Sequence, residues 1–486
     1  MDDDKIQHND LMKIDDYTYE IDRTYRADMQ VPARVFMNEH MMEDILADRA
    51  LWQLVNVATL PGIQKAVFAM PDIHQGYGFP IGGVAASALD QGGVISPGGI
   101  GYDINCGVRL LRVSMEKKEI LSRLEKLATV LFKKVPSGVG RGGKVVFKAH
   151  ELDFFLTHGA REMVKRGYGT DSDVEFCEEK GCMSTADPDM VSEKAKNRGS
   201  DQLGTLGSGN HFLEIQYVDT IFDASAAHVF GLKEGQVTVM IHCGSRGLGH
   251  QTCTDYVRVM MDKLPEWGYQ LPDRELVYAP FSSVQGQNYF AAMAASANYA
   301  WANRHLIGHW VREGFEEIFG ADVHLTLVYD VSHNMGKVEK HIINGKERSF
   351  IVHRKGATRA FGPKRPELPL QYQQIGQPVL IPGTMGTASY VMVGTEKSMD
   401  IAFGSSCHGA GRRLSRVKAK RTIRGSELRQ ELEQRGIIIR SDSDPGLAEE
   451  APEAYKDIED VVEVTHGAGL AEKVARLKPL AVVKGG

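Results

Sequence analysis

The side chains best suited to metal chemistry lie in short glycine-rich segments. Asp103 and Cys106 stand three positions apart in GGIGYDINCG, so one turn can aim a carboxylate and a thiolate at the same point. His211 in GNHFLE, His242 in MIHCGS and His333 in VSHN could add imidazoles from three other segments. Carboxylates, thiolates and imidazoles all bind metals, so these residues predict a mixed Asp/Cys/His metal site.

Each of these residues also has an ordinary structural interpretation. A histidine at the end of a strand is commonly just hydrogen-bonded, and Cys106 could be a small buried apolar residue. The spacing is not diagnostic in the way that a paired CxxC motif is. By ligand softness, a thiolate with imidazoles favours zinc over manganese, so the residues alone leave the metal open.

The other cysteines do not add a second metal site. Cys177 and Cys182, in EFCEEKGC, have no matching pair nearby, and we interpret this segment as a surface loop. The chain has six cysteines without a regular framework of spacings, which argues against structural disulfides.

His408, in SSCHGAGR, is the best candidate for a covalent nucleophile. Gly409 and Gly411, on either side of Ala410, let backbone amides approach a phosphate closely, and Arg412 adds a fixed positive charge. An imidazole of ordinary pKa, about 6.5, is mostly neutral near pH 7 and can attack phosphorus. No lysine stands in a KxDG motif, where ligases usually form lysine–nucleotide adducts. The HGAG segment could also be a plain tight turn.

Two further glycine-rich segments could contact phosphates. PGTMGTAS, residues 382–389, offers backbone amides and the hydroxyls of Thr384, Thr387 and Ser389, or it could be a simple turn. GVGRGGKV, residues 138–145, resembles a phosphate-binding P-loop, but Val145 replaces the required Ser or Thr. We therefore interpret the second match as accidental.

A mixture of helices and strands must position these segments. Apolar periodicity predicts helices at residues 38–60, 117–134 and 287–319. Strand-like runs occupy residues 108–113, 211–218, 237–242, 323–331 and 349–353. The candidate ligands stand where these strands meet glycine-rich loops, which is where functional sites are commonly assembled.

The bulk composition is that of a globular protein outside the membrane. The chain has 486 residues, of which 42% are hydrophobic and 25% charged. The N-terminal MDDDK lacks the order of a signal peptide, and no run of about 18 apolar residues occurs, so a cytoplasmic protein without a membrane partner is predicted. The net charge of −6 argues against a surface coated with basic groups.

Local basic stretches are more informative than the net charge. HRKGATRAFGPKR, residues 353–365, and RRLSRVKAKR, residues 412–421, could each track a nucleic-acid backbone. Each could equally be a solvated helix face or loop.

Eight segments, taken in order, resemble the RtcB family of RNA ligases. They are MPDIHQGYGFPIGG, GGIGYDINCG, LGSGNHFLE, MIHCGSRG, DVSHN, PGTMGTASY, SSCHGAGRR and the terminal LAVVKGG. Eight motifs in one order, from residue 70 to residue 486, are far more specific than any one of them. The resemblance implies one ligase domain over residues 1–486, with an α+β fold of stacked β-sheets surrounded by helices and a central metal and nucleotide cleft.

The resemblance also implies a reaction. Two manganese ions would bind Asp103, Cys106, His211, His242 and His333, with the Cys106 thiolate bridging both. His408 would take a guanylyl group from GTP and pass it to an RNA 3′-phosphate, which can come from a 2′,3′-cyclic phosphate. A 5′-hydroxyl end would then be joined. The implied partners are RNA ends, from tRNA halves or broken RNA, and an archease-type activating protein.

The residues that the resemblance assigns to the nucleotide come from several segments. The Glu214 carboxylate would accept hydrogen bonds from guanine N1–H and the 2-amino group, while Lys484 would donate to O6. The family loop commonly reads PGSMG, and Thr384 here keeps the hydroxyl of the replaced serine. The full set is Asn210, His211, Phe212, Glu214, His333, Asn334, Pro382, Gly383, Thr384, Met385, Ser389, His408, Gly409, Ala410, Gly411, Arg412, Tyr455 and Lys484.

Two other functions are compatible with parts of the sequence. A two-metal phosphoesterase could hydrolyse RNA cyclic phosphates with the same metal ligands, but it would not need His408, Glu214 and Lys484. A non-catalytic RNA-binding or metal-stabilised scaffold protein would suit the basic stretches and leave the HGAG segment unexplained. The sequence does not identify the physiological RNA, the oligomeric state, a need for an activator, or the basic stretch that contacts RNA.

Overall fold

The computed structural model describes residues 5–138 and 142–485. Val139, Gly140 and Arg141 of the P-loop-like segment lie outside the described residues, as do residues 1–4 and Gly486 at the end of LAVVKGG.

The described residues contain long and short strands along the whole chain. They are β1 (Met12–Asp15), β2 (Thr18–Ile21), β3 (Ala33–Phe36), β4 (Val67–His74), β5 (Ile81–Ala88), β6 (Val94–Ile95), β7 (Gly107–Glu116), β8 (Phe212–Ile221), β9 (Gln236–Cys243), β10 (Ala279–Pro280), β11 (Leu325–Ser332), β12 (Asn334–Ile343), β13 (Lys346–Lys355), β14 (Ala357–Arg359), β15 (Pro378–Ile381), β16 (Ser389–Gly394), β17 (Ser405–Cys407), β18 (Ile438–Ser441) and β19 (Ala471–Lys484).

Helices fill most of the connections. They are α1 (Met42–Ala47), α2 (Ala50–Val57), α3 (Lys117–Ile120), α4 (Leu124–Lys134), α5 (Ala149–His158), α6 (Ala160–Lys165), α7 (Asp171–Glu175), α8 (Glu193–Gly199), α9 (Ala224–Phe230), α10 (Arg246–Trp267), α11 (Val284–Phe319), α12 (Glu396–Ala402), α13 (Arg416–Thr422), α14 (Gly425–Gln434), α15 (Asp444–Glu449) and α16 (Ile458–Ala468).

Two large sheets organise the strands. The first has the order β1-β2-β3-β4-β5-β13-β12, and the second has the order β11-β7-β9-β8-β19-β16-β15, with β18 paired parallel to β19. The helix α11 packs against both sheets: Ala292, Tyr299 and Leu306 contact the core on β7, β8 and β9, while Met293 and Trp301 contact the core that includes β13. The α+β fold class predicted from the sequence is confirmed.

The second sheet is buried on both faces. One face of β7 and β9 packs against α4, α5 and α11, and the other face packs against α9 and the chain before β15. Strands covered on both sides are mostly apolar, as residues 237–242 are, and the arginine inside β7, Arg109, is buried with an ion-pair partner. The buried polar side chains within these strands, such as Arg109 and Gln216, are hydrogen-bonded to other buried groups.

The sequence predicted one helix over residues 38–60, and this was wrong in detail. The chain forms a 3-10 turn at Glu39–Met41, then α1 and α2 as separate helices. Asp48 is extended between them, and its carboxylate accepts a hydrogen bond from the backbone N–H of Ala50 at 3.2 Å. The extended Asp48 thus interrupts the helix, and its carboxylate binds the first N–H of α2, where the apolar periodicity continues.

The interpretation of EFCEEKGC as a surface loop was also wrong. Cys177 is buried, and its sulfur accepts a hydrogen bond from the Arg109 guanidinium at 3.3 Å. Arg109 in turn pairs with Asp330 at 2.7 Å in the same buried cluster. Cys182 is partly buried. Glu178 of this segment is buried because it meets a cation that is distant in sequence, the Lys337 ammonium.

A buried arginine ties together the loops that carry the candidate metal ligands. Arg304, on α11, donates to the backbone oxygens of Asn105 at 2.7 Å and Cys243 at 2.9 Å, and pairs with Asp330 on β11 at 2.7 Å. The loop before β7, the end of β9 and β11 are thereby fixed to one rigid helix.

Candidate active site

Strand register explains why distant residues meet at one place. In the second sheet, Phe212 on β8 lies opposite both His242 on β9 and Lys484 on β19. Opposite residues of an antiparallel pair point to the same face. The row Lys484–Phe212–His242 therefore crosses the sheet on one face. Gly107 lies opposite both Ser332 and Cys243, which brings the turns before β7 and after β11 to the same edge.

The five predicted metal ligands form one continuous cluster. His211 Nε2 lies 2.7 Å from Asp103 Oδ2, and the Cys106 sulfur lies 3.3 Å from the Nε2 atoms of both His211 and His242. His242 Nε2 lies 3.2 Å from His333 Nε2. The ligand atoms form two triplets, Asp103–Cys106–His211 and Cys106–His242–His333, which share the sulfur. This arrangement is suited to two cations bridged by one thiolate.

The electrostatics of the cluster favour cations. Burial and the neighbouring imidazoles hold the pKa values of His242 and His333 well below the usual range, so both rings are neutral and able to bind metal. Burial and the Asp103 carboxylate raise the pKa of the Cys106 thiol to about 12. A thiolate at this position therefore needs a positive charge beside it, and a bound metal ion supplies one. The donor set fits divalent metal ions.

The turn at Asp103 forms as the spacing predicted. The backbone N–H of Cys106 donates to the Asp103 carbonyl at 3.0 Å, and the Asn334 amide donates to the same carbonyl at 3.0 Å. The N–H of His333 donates to the Cys106 carbonyl at 2.9 Å. These hydrogen bonds fix Asp103 and Cys106 relative to the turn between β11 and β12.

His408 stands at one end of the cluster. Its ring centroid lies 4.8 Å from that of His333, and its Nδ1 lies 2.5 Å from Asp72 Oδ2. The same carboxylate oxygen accepts the backbone N–H of His408 at 3.0 Å. When Nδ1 gives its proton to this hydrogen bond, the free lone pair of the ring is on Nε2.

Sequence reasoning assigned no role to Asp72, which the structure places in contact with His408. It lies on β4, in the segment MPDIHQGYGFPIGG, which carried the resemblance without any residue being assigned a role. The carbonyls on both sides of it, from Pro71 and Ile73, accept hydrogen bonds from the buried Lys456 ammonium. Gly411 has φ +72°, and a Cβ there would lie 2.2 Å from the Asp72 carbonyl oxygen. The glycine thus allows the HGAG loop to reach Asp72.

The cluster opens into a cleft of about 1110 Å³. This volume is sufficient for a nucleotide and the end of a second ligand. Most residues that the resemblance assigns to the nucleotide contribute to its lining: Asn210, Phe212, Glu214, His333, Asn334, Pro382, Gly383, Thr384, Met385, His408, Gly409, Ala410, Gly411, Arg412, Tyr455 and Lys484. Of the five candidate metal ligands, Asp103, His242 and His333 line the cleft. Cys106 and His211 belong to the same ligand cluster but do not line the cleft.

Ser389, which the resemblance assigns to the nucleotide, is buried at the start of β16. It does not line the cleft. Its hydroxyl oxygen accepts the backbone N–H of Gly383 at 3.1 Å and the Gln216 amide at 3.0 Å. The Pro382–Met385 loop is thus held from behind by a side chain at the start of β16.

Two buried charged groups lie deep in the cleft. The Glu214 carboxyl is 3% exposed, and burial raises its pKa to about 8. The Lys484 ammonium is equally buried, and burial lowers its pKa. A hydrogen-bond acceptor and a hydrogen-bond donor at one end of the cleft can together read the edge of a base.

The two basic stretches have different environments. In residues 353–365, Arg354 pairs with Glu339 at 2.6 Å and Arg359 pairs with Glu179 at 2.8 Å, both inside the protein. The interpretation as a solvated face was therefore wrong for most of this stretch. The other stretch borders the cleft through Arg412, Arg413, Arg416 and Lys418.

No helix of the described residues is long and apolar enough to span a membrane.

Comparisons with known proteins agree with the motifs. The family model "tRNA-splicing ligase RtcB" matches residues 53–485. The "tRNA-splicing ligase RtcB" of Archaeoglobus fulgidus is 54% identical over 478 residues, which cover 98% of this chain and 99% of the relative. That of Thermococcus kodakarensis is 55% identical over 478 residues with the same coverage. The "RNA-splicing ligase RtcB" of Mycobacterium bovis is 53% identical over 437 residues, covering 89% of this chain and 100% of the relative.

Proposed function

Because this chain belongs to the RtcB family of tRNA-splicing ligases, we propose that it joins RNA ends carrying a 3′-phosphate or a 2′,3′-cyclic phosphate to 5′-hydroxyl ends, using GTP and manganese. The observation that carries the proposal is the contact between His408 and a shared-thiolate ligand cluster, inside a cleft that ends at Glu214 and Lys484. Residues 1–486 would act as one ligase domain.

In the proposed first step, His408 is the nucleophile. Its Nε2 forms a bond to the α-phosphorus of GTP, the bond from that phosphorus to the bridging oxygen breaks, and pyrophosphate leaves. Asp72 holds the Nδ1 proton and stabilises the positive charge that develops on the ring. Residues of the HGAG loop line the cleft, and their backbone amides would stabilise charge on the attacked phosphate.

The metal ions would be held by Asp103, Cys106, His211, His242 and His333. When bound, two divalent cations neutralise phosphate oxygens and help to align the attacking and leaving groups.

The later steps use the RNA ends. A cyclic phosphate is first opened by water to a 3′-phosphate, whose oxygen then attacks the guanylyl phosphorus and displaces His408. The product is RNA-3′-pp-5′-G. A 5′-hydroxyl finally attacks the RNA-side phosphorus, loses its proton and releases GMP. Each step exchanges one bond at phosphorus for another.

The nucleotide would lie with its base between Glu214 and Lys484. An ionised carboxylate accepts from guanine N1–H and the 2-amino group, while the ammonium donates to O6. Adenine presents neither pattern, so this pair supports a preference for GTP. The RNA substrates would be tRNA halves or broken RNA. A cytoplasmic location and an archease-type activating protein remain predictions from the sequence.

Replacement of Asp72 by asparagine is expected to lower the rate of self-guanylylation by roughly 100-fold or more. The amide can present its NH₂ group to Nδ1, which moves the ring proton to Nε2 and removes the attacking lone pair. Single-turnover transfer from labelled GTP measures the effect. Asp219→Asn is the control, since that carboxylate pairs with Arg476 away from the cleft. A rate in Asp72→Asn equal to that of the control would contradict the assigned role.

The cleft-bordering basic stretch is expected to contact the RNA backbone. Changing Arg413, Arg416 and Lys418 together to glutamine should raise the KM for RNA at least about tenfold. The slope of log KM against log salt should fall by about 0.7 for each RNA phosphate that these side chains neutralise in the wild type. Lys364→Gln, in the other stretch and 85% exposed, is the control. If the KM for RNA were the same in the triple variant and in Lys364→Gln, the RNA would not bind along the cleft-bordering stretch.

A joining assay separates the proposed ligase from the two-metal phosphoesterase. The two substrates are one RNA with a 2′,3′-cyclic phosphate and one with a 5′-hydroxyl, incubated with manganese and either GTP or ATP. The ligase gives a joined product that depends on GTP. A phosphoesterase gives opened ends without joining and without any nucleotide requirement, and that result would overturn the proposal.

A further inference from the structure

Gln216 has a fully buried amide directly behind the base-reading end of the cleft. It stands two positions after Glu214 on β8, so both side chains point to the same face of the sheet. Its Nε2 atom lies 2.5 Å from Glu214 Oε2 and 3.0 Å from the Ser389 hydroxyl oxygen. The amide thus bridges a carboxylate and a hydroxyl that belong to different strands.

The orientation of this amide is fixed by its surroundings. As placed, both N–H groups have an acceptor, and the buried Oε1 atom alone has no partner among the described residues. With Glu214 ionised, rotating the amide by half a turn would leave two N–H groups without acceptors and bring Oε1 against a carboxylate oxygen. Because an unmade buried hydrogen bond is costly, the observed orientation is the more stable one.

The same amide connects the base-reading end with the loop near the phosphates. Ser389 accepts from Gln216 and also from the Gly383 backbone N–H at 3.1 Å. Gly383 belongs to the Pro382–Met385 loop that lines the cleft. Glu214 and this loop are therefore held in register through one side chain.

Few other groups can stabilise a charge on Glu214. The residues opposite it in the sheet, Met240 on β9 and Val482 on β19, are apolar. The charge of Lys484 acts on Glu214, but its ammonium donates to the His211 carbonyl and lies 3.8 Å from Glu450. The charged and titratable groups around these two residues are Glu449, Glu450, Arg416 and, on the same face, His242.

Burial raises the pKa of Glu214 to about 8, while the hydrogen bond from Gln216 and the charge of Lys484 act in the opposite direction. The carboxyl thus titrates in the range where the protein would work, and each of these two contacts shifts the balance towards the ionised form.

The protonation state of this carboxyl changes which base it fits. An ionised carboxylate is a double acceptor and matches the N1–H and 2-amino donors of guanine. A neutral carboxyl has one donor and one acceptor, which match N1 and the 6-amino group of adenine. Neutral Glu214 would therefore lose the guanine pattern and gain the adenine pattern.

We infer that Gln216 is a specificity-determining residue: its amide holds the Glu214 carboxylate in the position and the ionised state that guanine requires, and so sets the preference for GTP over ATP. This inference rests on the proposed use of GTP. Gln216 is a positioning residue, because it touches Glu214 and Ser389 and does not line the cleft.

The test is Gln216→Met, which removes the amide and keeps an unbranched side chain of similar length. The ratio of kcat/KM for self-labelling by GTP to that by ATP should fall at least about tenfold, a factor that corresponds to about 1.4 kcal/mol. Binding of the α,β-methylene analogues of GTP and ATP, measured by calorimetry, should show the same loss of discrimination without any reaction.

Thr238→Val is the matched control. Thr238 lies opposite Gln216 on β9, and its buried hydroxyl has no hydrogen-bond partner among the described residues. The isosteric change disturbs the same place without removing a donor to Glu214, so the ratio should stay at the wild-type value. An unchanged ratio in a folded Gln216→Met protein would overturn the inference, as would an equal loss in both variants.

Wild type and Glu214→Gln keep the inference testable if Gln216→Met does not fold. The ratio in wild type should fall as the pH drops from about 9 to about 6, because Glu214 becomes neutral below its pKa. Glu214→Gln, with one donor and one acceptor, should have a low ratio at every pH. A pH-independent ratio in wild type overturns the inference. Failure of wild type to label with GTP at any pH would instead refute the proposed function.

Discussion

His408→Ala is expected to abolish both self-guanylylation and RNA joining, with a loss of at least about 1,000-fold in each. The imidazole supplies the only bond between protein and guanylyl group in the proposed reaction, so no neighbouring side chain can replace it. Its Nδ1 is held by Asp72 at 2.5 Å, which leaves Nε2 directed to the reaction. Transfer of label from [α-³²P]GTP to protein, and a joining assay on defined RNA ends, measure the two losses.

The control for this variant is His228→Ala, which removes an exposed histidine on α9 away from the cleft. His408→Ala should melt at a temperature close to that of wild type, since this side chain borders an open cleft. Joining at the control rate by a folded His408→Ala protein would exclude the covalent mechanism.

Cys106→Ala is expected to have the second largest effect. The sulfur is shared by both ligand triplets, so its loss removes one ligand from each of two proposed metal ions. Guanylylation should fall by more than about 100-fold, beyond the loss typical of replacing a group outside the coordination sphere. Manganese content after gel filtration, measured by plasma emission, should drop below that of wild type.

Cys253→Ala removes an equally buried thiol on α10 and should retain both manganese and activity. The comparison distinguishes metal binding from packing, because both changes remove one buried sulfur. If Cys106→Ala bound manganese and guanylylated as well as Cys253→Ala, the thiolate would not be a shared ligand.

The sequence was most informative where local rules decide the structure. The strands predicted at residues 108–113 and 237–242 lie inside β7 and β9, because short segments rich in Val, Leu and Ile favour buried strands. The turn between Asp103 and Cys106 is closed by a local hydrogen bond from the Cys106 N–H to the Asp103 carbonyl, so its spacing alone indicated it. The candidate metal ligands could be named because the chemistry of carboxylates, thiols and imidazoles is visible residue by residue, and the structure adds that they meet in one cluster.

Contacts between residues that are distant in the sequence could not be predicted. Asp72 meets His408 across 336 positions of the chain, and no local pattern marks it as the partner of a nucleophile. The burial of Arg354 depends likewise on Glu339, which only the pairing of β12 with β13 brings near. Residues 353–365 could therefore be interpreted from the sequence as a solvated face, whereas two of their arginines form buried ion pairs in the structure.

Gln216 illustrates the same limit at the specificity end of the site. A glutamine in a strand has no distinctive spacing, and its importance comes from what the β8 and β16 strands place around it. Glu214 and Lys484 were assigned by resemblance alone. The structure adds that both are buried in one cleft and that the carboxylate has an amide donor behind it.

The most direct test of the account is to locate the covalent bond. Wild-type protein is incubated with manganese and either [α-³²P]GTP or [γ-³²P]GTP, digested under alkaline conditions and analysed by mass spectrometry. We predict label from the α-position only, acid-labile and base-stable, on the peptide that contains His408. A guanylylated peptide from any other part of the chain, or joining of RNA ends without any labelled protein, would contradict the account.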